Sequence, residues 1–108
     1  MADLAKLIAG PTQPGTSNGT LYTVPALTTC IVKEFIIANT ANTAKTVTIA
    51  LNGTAATAAN CIFGAVSIPA NSTQGFPCWI PLAAAGTIQA LQQTAGAITV
   101  TVSGIEKT

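Results

Sequence analysis

Three carboxylates and the absence of histidine set the catalytic possibilities of this chain. A glycosidase needs two acids held across a cleft, and Glu34 and Glu106 are the pair that could serve. Each of these glutamates is adjacent to a lysine in the sequence, which favours a role as an ion partner on a strand surface. Without histidine, neither a Ser-His-Asp nor a Cys-His arrangement can form. We therefore expect no catalytic residues and no enzymatic activity.

The three cysteines, Cys30, Cys61 and Cys78, are the remaining candidates for metal or redox chemistry. Their wide spacing differs from that of zinc-binding cysteines, and no histidine is available to complete a site. The pattern favours three buried thiols that act as small hydrophobic side chains. The glycines follow turns and form no phosphate-binding or dinucleotide motif. We expect neither a metal nor a cofactor.

Two aromatic residues, Phe76 and Trp79, could bind a ligand by stacking. An exposed aromatic strip on a β-sheet can stack on sugar rings, which is one interpretation of this pair. The alternative is that Trp79 caps the core between two sheets. We favour the core position, because Trp79 is the only tryptophan and no second aromatic platform accompanies it.

The charge content is low, at 6% of residues against about 25% in typical globular chains. Such a surface provides little electrostatic repulsion between copies, so it is either a neutral, threonine-rich β surface or one covered in an assembly. The four cations are scattered, which argues against nucleic acid and membrane-surface partners. No apolar stretch reaches the ~20 residues of a membrane span, and the N-terminus does not resemble a signal peptide. We expect a protein made and kept in a cytoplasm.

Short alternating segments separated by turns run through residues 20–108. In Lys45–Leu51, apolar and small polar side chains alternate, and Asn52-Gly53 predicts a tight turn because both residues tolerate positive φ. Turn signals recur at strand-length intervals, which predicts an all-β fold: a single antiparallel β-sandwich, jelly-roll or Ig-like, of seven to eight strands. The segment 28–39 is apolar on both faces, whereas a two-layer sandwich buries only one. This pattern favours a homo-oligomer.

Residues 1–19 are predicted to form an N-terminal arm and loop outside the sandwich. Leu4, Leu7 and Ile8 have helical spacing, but one or two turns are marginal in water unless something buries them. The arm either packs on its own sandwich or reaches a neighbouring copy or partner. The Pro/Gly/Ser/Asn-rich segment 12–19 favours reach, because flexible tethers extend further than compact packing requires.

Four segments together resemble small β-sandwich proteins encoded in the structural gene clusters of tailed bacteriophages. They are TLYTVPA at 20–26, IVKEFIIANT at 31–40, VSIPANST at 66–73 and GAITVTVSG at 96–104. The likeness covers residues 17–106 and lies in the strand and turn pattern.

This resemblance implies a virion protein made in the host bacterial cytoplasm. It points to a capsid decoration, or cement, protein that binds the major capsid protein or other virion proteins as a homo-oligomer, preferably a trimer. A neck, tail or fibre-base protein and a carbohydrate-binding module are the alternatives. The candidate partner-binding residues are Leu4, Leu7, Ile8, Phe76 and Trp79.

Overall fold

The computed structural model describes residues 3–53, 56–57 and 59–108 of the chain. These residues contain eight strands and no helix. The strands are β1 (Asp3–Thr12), β2 (Gly19–Thr23), β3 (Thr29–Asn39), β4 (Lys45–Leu51), β5 (Cys61–Ile68), β6 (Ser72–Leu82), β7 (Thr87–Gln92) and β8 (Ile98–Lys107).

The strands form two four-stranded antiparallel sheets that pack face to face. The first sheet has the order β1-β8-β3-β6 and the second has the order β2-β7-β4-β5. Only β4 and β5 are both consecutive in the chain and hydrogen-bonded to each other, so every other connection crosses between the sheets. This is the topology of an eight-stranded jelly roll. The predicted all-β sandwich is confirmed, and the Ig-like alternative is excluded because that fold pairs its first two strands within one sheet.

The predicted N-terminal arm is, as far as residue 12, an edge strand of the first sheet. β1 pairs with β8, and Ile8 and Ala9 are buried in the core. The helical turn was therefore a wrong prediction. A helix this short is only marginally stable on its own, whereas pairing with β8 gives the backbone groups of this segment hydrogen-bond partners. The strand even continues through Gly10, whose φ is 87° and where a Cβ atom would lie 2.3 Å from the Val100 carbonyl oxygen.

The core lies between the two sheets and consists mainly of branched aliphatic side chains. Its largest fully buried apolar members are Phe35, Ile37, Ile49, Ile68, Ile88 and Ile98. Gln92 is also fully buried, and its side-chain amide donates to the carbonyls of Pro14 and Ile98 while its oxygen accepts from the Ile98 N–H. This buried amide therefore fastens the β1–β2 loop to the β7–β8 turn.

A register shift occurs in both strands that flank β8. β8 itself alternates between inward and outward residues through Gly104. The extra residues are in β1, between Leu7 and Ala9, and in β3, between Val32 and Glu34. A Cβ atom on Gly104 would lie 2.2 Å from a backbone carbonyl oxygen of β3, so glycine permits this close approach.

Candidate interaction face

The outer face of the second sheet is polar and partly covered by the chain's own loops. Gln89 points outward from β7 but is only 1% exposed. Its side-chain oxygen accepts from Asn18 Nδ2 at 2.8 Å, and its amide donates to the Gly53 carbonyl at 3.0 Å. Thr46 and Thr48 continue the polar surface along β4. Gln89, Thr46 and Thr48 therefore have hydrogen-bond partners within the chain.

The outer face of the first sheet carries exposed apolar side chains among the threonines and serine of β8, and Ile31 on it is only 9% exposed. An apolar row crosses all four strands, because Ile105 lies opposite both Ala5 and Ile31, and Ile31 lies opposite Pro81. Trp79 is 63% exposed on the same side. We call this surface the apolar face and define it by Leu7, Ile31, Ile36, Trp79, Pro81 and Ile105.

Two charged residues of β3 point outward side by side within the apolar face. The register shift after Val32 turns both Lys33 and Glu34 away from the core. The Lys33 ammonium lies 4.0 Å from the centroid of the Trp79 ring, a cation–π contact that is worth about 0.5–1 kcal/mol at an exposed site. The carboxylate of Glu34 lies over Gly75, where a Cβ atom would approach its Oε2 atom to 2.8 Å. Among the described residues, no cation forms an ion pair with Glu34.

The structure separates the two aromatic candidates of β6. Phe76 points inward and packs against Phe63, with ring centroids 4.9 Å apart. Trp79 points outward, so the favoured interpretation that it caps the core is wrong. The separation of three residues was the available signal, because residues an odd number apart in a regular strand face opposite sides.

The three apolar candidates near the N-terminus also diverge. Ile8 is buried in the core, whereas Leu7 lies on the apolar face opposite Ser103 and is 52% exposed. Leu4 is 58% exposed near the start of β1, opposite Glu106. Of this group, Leu4 and Leu7 are accessible to a partner and Ile8 is not.

Glu106 belongs to a polar cluster that bridges the two sheets. It accepts a hydrogen bond from the Tyr22 hydroxyl of β2 and forms an ion pair with Lys6 of β1, with an Nζ–Oε1 distance of 3.2 Å. Burial, followed by the bond to Glu106, holds the pKa of Tyr22 well above its usual range. The Tyr22 hydroxyl lowers the pKa of Glu106. Glu106 lies opposite Cys30 on the inner side of the sheet and Glu34 points outward, so the two glutamates are not paired across a cleft.

The thiols are free and differ in burial. Cys30 is fully buried as predicted, whereas Cys61 and Cys78 are only partly buried, so the expectation of three buried thiols holds for one of them. Burial raises the pKa of both the Cys30 and the Cys78 thiols. In the part of the chain that the structure describes, no cluster of three or more His, Cys, Asp or Glu residues could hold a metal.

The most evident depression lies at the end of the sandwich where β4 and β6 finish. Its volume is about 480 Å³, and its lining runs from Asn52 and Gly53 to Leu82 and the small residues 83–86. No titratable side chain lines it. Over residues 3–53, 56–57 and 59–108, no helix is long and apolar enough to cross a membrane.

Comparison with known proteins identifies the fold without a sequence family. Neither a protein-family model nor a curated protein matches the sequence. Among solved structures, the chain is similar to one from infectious bursal disease virus, Gx strain, with a TM-score of 0.52 and 13% identity. The match covers 96% of this chain and 32% of the viral chain, so this chain spans about a third of the length of the chain it matches. At this identity, the likeness shows that the two share a β-sandwich fold.

Proposed function

We propose that this chain is a non-enzymatic structural protein of a virus particle that decorates the capsid of a tailed bacteriophage. In this role it binds and stabilises the head as a homo-oligomer. The observation that carries the proposal is the open apolar face on the first sheet of the jelly roll. The shared fold with a chain of a solved virus structure, and the phage-like segments of the sequence, are consistent with it.

The apolar face is unusual for a protein that works alone. A row of apolar side chains crosses its four strands, with Ile31 in the row only 9% exposed. Trp79, Leu7 and Ile36 remain 63%, 52% and 36% exposed beside polar residues of β8. Contiguous exposed apolar patches mark surfaces that bind other proteins or ligands. The sequence carries only seven formal charges, four basic and three acidic, so little repulsion opposes dense packing of copies. Both features suit a subunit of an assembly.

Particle stabilisation follows from mass action. A protein that binds across the joint between shell subunits buries area that disassembly must expose again, so binding favours the assembled shell. The proposed partners are therefore the major capsid protein or other virion proteins. Leu4, Leu7 and Trp79 remain proposed contact residues of the homo-oligomer, whereas Ile8 and Phe76 are withdrawn because they point into the sandwich.

Quantitative mass spectrometry of purified particles tests this proposal. A decoration protein is expected in a copy number comparable to that of the shell subunits. A few copies per particle would favour the alternative, a neck, tail or fibre-base protein. Absence from washed particles would refute any virion role.

The exposure of Trp79 supports a second candidate, a carbohydrate-binding module. An exposed indole can stack on a sugar ring, and Lys33 and Glu34 beside it could bond to hydroxyl groups. A glycan-binding screen with the wild type and Trp79→Ala decides this point. Binding that the variant loses would support the module, and no binding by the wild type would remove it.

A further inference from the structure

We propose that the apolar face binds the apolar face of a second copy of this chain, around a two-fold axis that lies between the two stacked sheets. This contact deepens the proposed function, because it names the partner of the face within the expected homo-oligomer. It concerns the isolated protein as well as the particle, so it can be tested without a virus.

The outer face of the first sheet, of which the apolar face is a part, is large enough for such a contact. Four strands at a spacing of about 4.8 Å, with a length of about 3.3 Å per residue along β3, present roughly 500–600 Å² of flat projected area. The accessible surface is larger than the flat projection, so two copies together exceed the ~1,000 Å² that specific interfaces require. Sheets also stack readily, at about 10 Å from face to face.

The charges on the face complement each other. Lys33 and Glu34 both point outward and cancel, so the centre of the face has no net charge. A two-fold axis near these residues places Lys33 of each copy beside Glu34 of the other. Glu34, which has no ion pair within the described chain, gains one in this arrangement. A face that bound a charged partner by complementarity would instead carry charges of one sign.

Symmetry favours two copies over the trimer that the phage resemblance implies. A two-fold interface uses the same patch on both subunits, whereas a three-fold ring needs two different patches that fit each other. Among the described residues, the most exposed large apolar side chains of the strands lie on the first sheet, with Ile62 of β5 at 37% on the second, where Gln89 is covered by hydrogen-bonded loops. The matching surface for this face is therefore the same face on a second molecule.

Trp79 is the expected anchor of the contact. It is the largest side chain on the face and is 63% exposed, and tryptophan is enriched among the residues that dominate interface energies. Trp79→Ala is expected to weaken the dimer and raise its dissociation constant by at least about tenfold. The matched control is Leu27→Ala, which removes a 93% exposed leucine in the loop between β2 and β3, outside the residues that define the face, and should dimerise as the wild type does.

Sedimentation velocity on the purified full chain, with a charge exchange, tests the geometry. Glu34→Lys gives the face two adjacent lysines and Lys33→Glu gives it two adjacent glutamates, so each variant alone should be monomeric. An equimolar mixture of the two variants should form a heterodimer, because opposite charges then meet. Circular dichroism checks that each variant remains folded.

The outcomes separate this inference from the proposed function. A wild-type dimer that both charge variants lose and their mixture regains supports the contact. A wild-type monomer at high micromolar concentration overturns it, and so does a trimer or a dimer that neither Trp79→Ala nor the charge variants affect. A monomer whose particle binding depends on Trp79 would assign the face to the shell and leave the decoration role intact. A dimer that is absent from particles would refute that role but not the contact.

Discussion

Removing one hydroxyl group from the cluster between the sheets should destabilise the whole sandwich. Tyr22 comes from the second sheet, and its hydroxyl donates to Glu106 of the first sheet. Tyr22→Phe keeps the ring and its packing but deletes this bond. A hydrogen bond to a charged group is worth about 1.5–3 kcal/mol, and the Glu106 side chain is only 12% exposed, so little of this is lost to solvent screening.

The expected loss is large enough to measure by thermal unfolding. For a domain of 108 residues, 1 kcal/mol corresponds to a shift of roughly 4 °C in Tm, so Tyr22→Phe should lower Tm by roughly 6–12 °C near neutral pH. Lys6→Met tests the other partner of Glu106. Because the Lys6 side chain is 39% exposed, its ion pair should contribute less than about 1 kcal/mol.

The difference in Tm between the wild type and Tyr22→Phe should depend on pH, and it should decrease at both acidic and alkaline pH. Folding lowers the pKa of Glu106 from 4.5, so its contribution is present above that value and is lost as pH falls through the folded pKa. Folding raises the pKa of Tyr22 from 10.0, so this contribution is complete below that value and declines as pH rises above it. The Tm difference should therefore be largest between about pH 5 and 9 and narrow outside that window.

Differential scanning calorimetry of wild type, Tyr22→Phe and Lys6→Met across this range is the assay. The reasoning fails if Tyr22→Phe melts within the error of wild type at neutral pH. It also fails if the difference between the two stays constant down to pH 3. If Lys6→Met lowered Tm more than Tyr22→Phe, the ion pair with Lys6 and not the Tyr22 hydroxyl would be the stabilising contact of Glu106.

Three further predictions concern the sandwich itself. Gly104→Ala should lower the free energy of unfolding by about 3 kcal/mol in chemical denaturation, because its Cβ would meet a carbonyl oxygen. Gly19→Ala, at a position with open space around it, should lower it by less than about 1 kcal/mol, and equal losses would contradict the close approach at Gly104. Native Cys30 should react with a thiol reagent more slowly than Cys61 and should speed up on unfolding, and rapid labelling of Cys30 in the folded state would argue against its burial. Deleting residues 2–10 should collapse Tm, because it removes most of β1 and its buried residues; an unchanged Tm would restore the detachable arm.

Alternation of apolar and polar residues within a segment predicted those strands that follow this alternation regularly. β4 was predicted with the bounds that the structure has, because apolar and polar residues alternate regularly along it. Asn52 and Gly53 take positive φ values of 64° and 78°, but instead of forming a tight turn they begin a longer connection that reaches β5 at Cys61. Residues 61–68 form one strand that contains Gly64, and the pairing with β4 continues past Ala65, whose φ is 50°.

Features that depend on distant parts of the chain were not predictable in this way. The helical spacing of Leu4, Leu7 and Ile8 misled the assignment of β1, whose partner β8 lies at the other end of the sequence. The bulge in β1 then puts Leu7 outside and Ile8 inside. Pairing between remote strands outweighs short-range spacing at such an edge.

The apolar face was predicted in part. The apolar pattern of 28–39 on both sides indicated a surface that needs a cover, and the structure places Ile31 and Ile36 there. Ile105 and Pro81 reach the same face only through the order β8-β3-β6, which no local pattern shows. Regular strand alternation puts Trp79 on the side opposite to Phe76, but the two prolines of β6 made that segment look irregular, so the outward position was not predicted.

A cryo-EM map of the parent virus particle tests the central claim most directly. The account predicts density for this jelly roll at regularly repeated positions on the outer surface of the shell, with the apolar face buried against a neighbouring molecule. Density confined to the neck, tail or fibres, or absent altogether, would contradict a capsid decoration role. Decorating copies whose apolar faces point into solvent would contradict the role assigned to that surface.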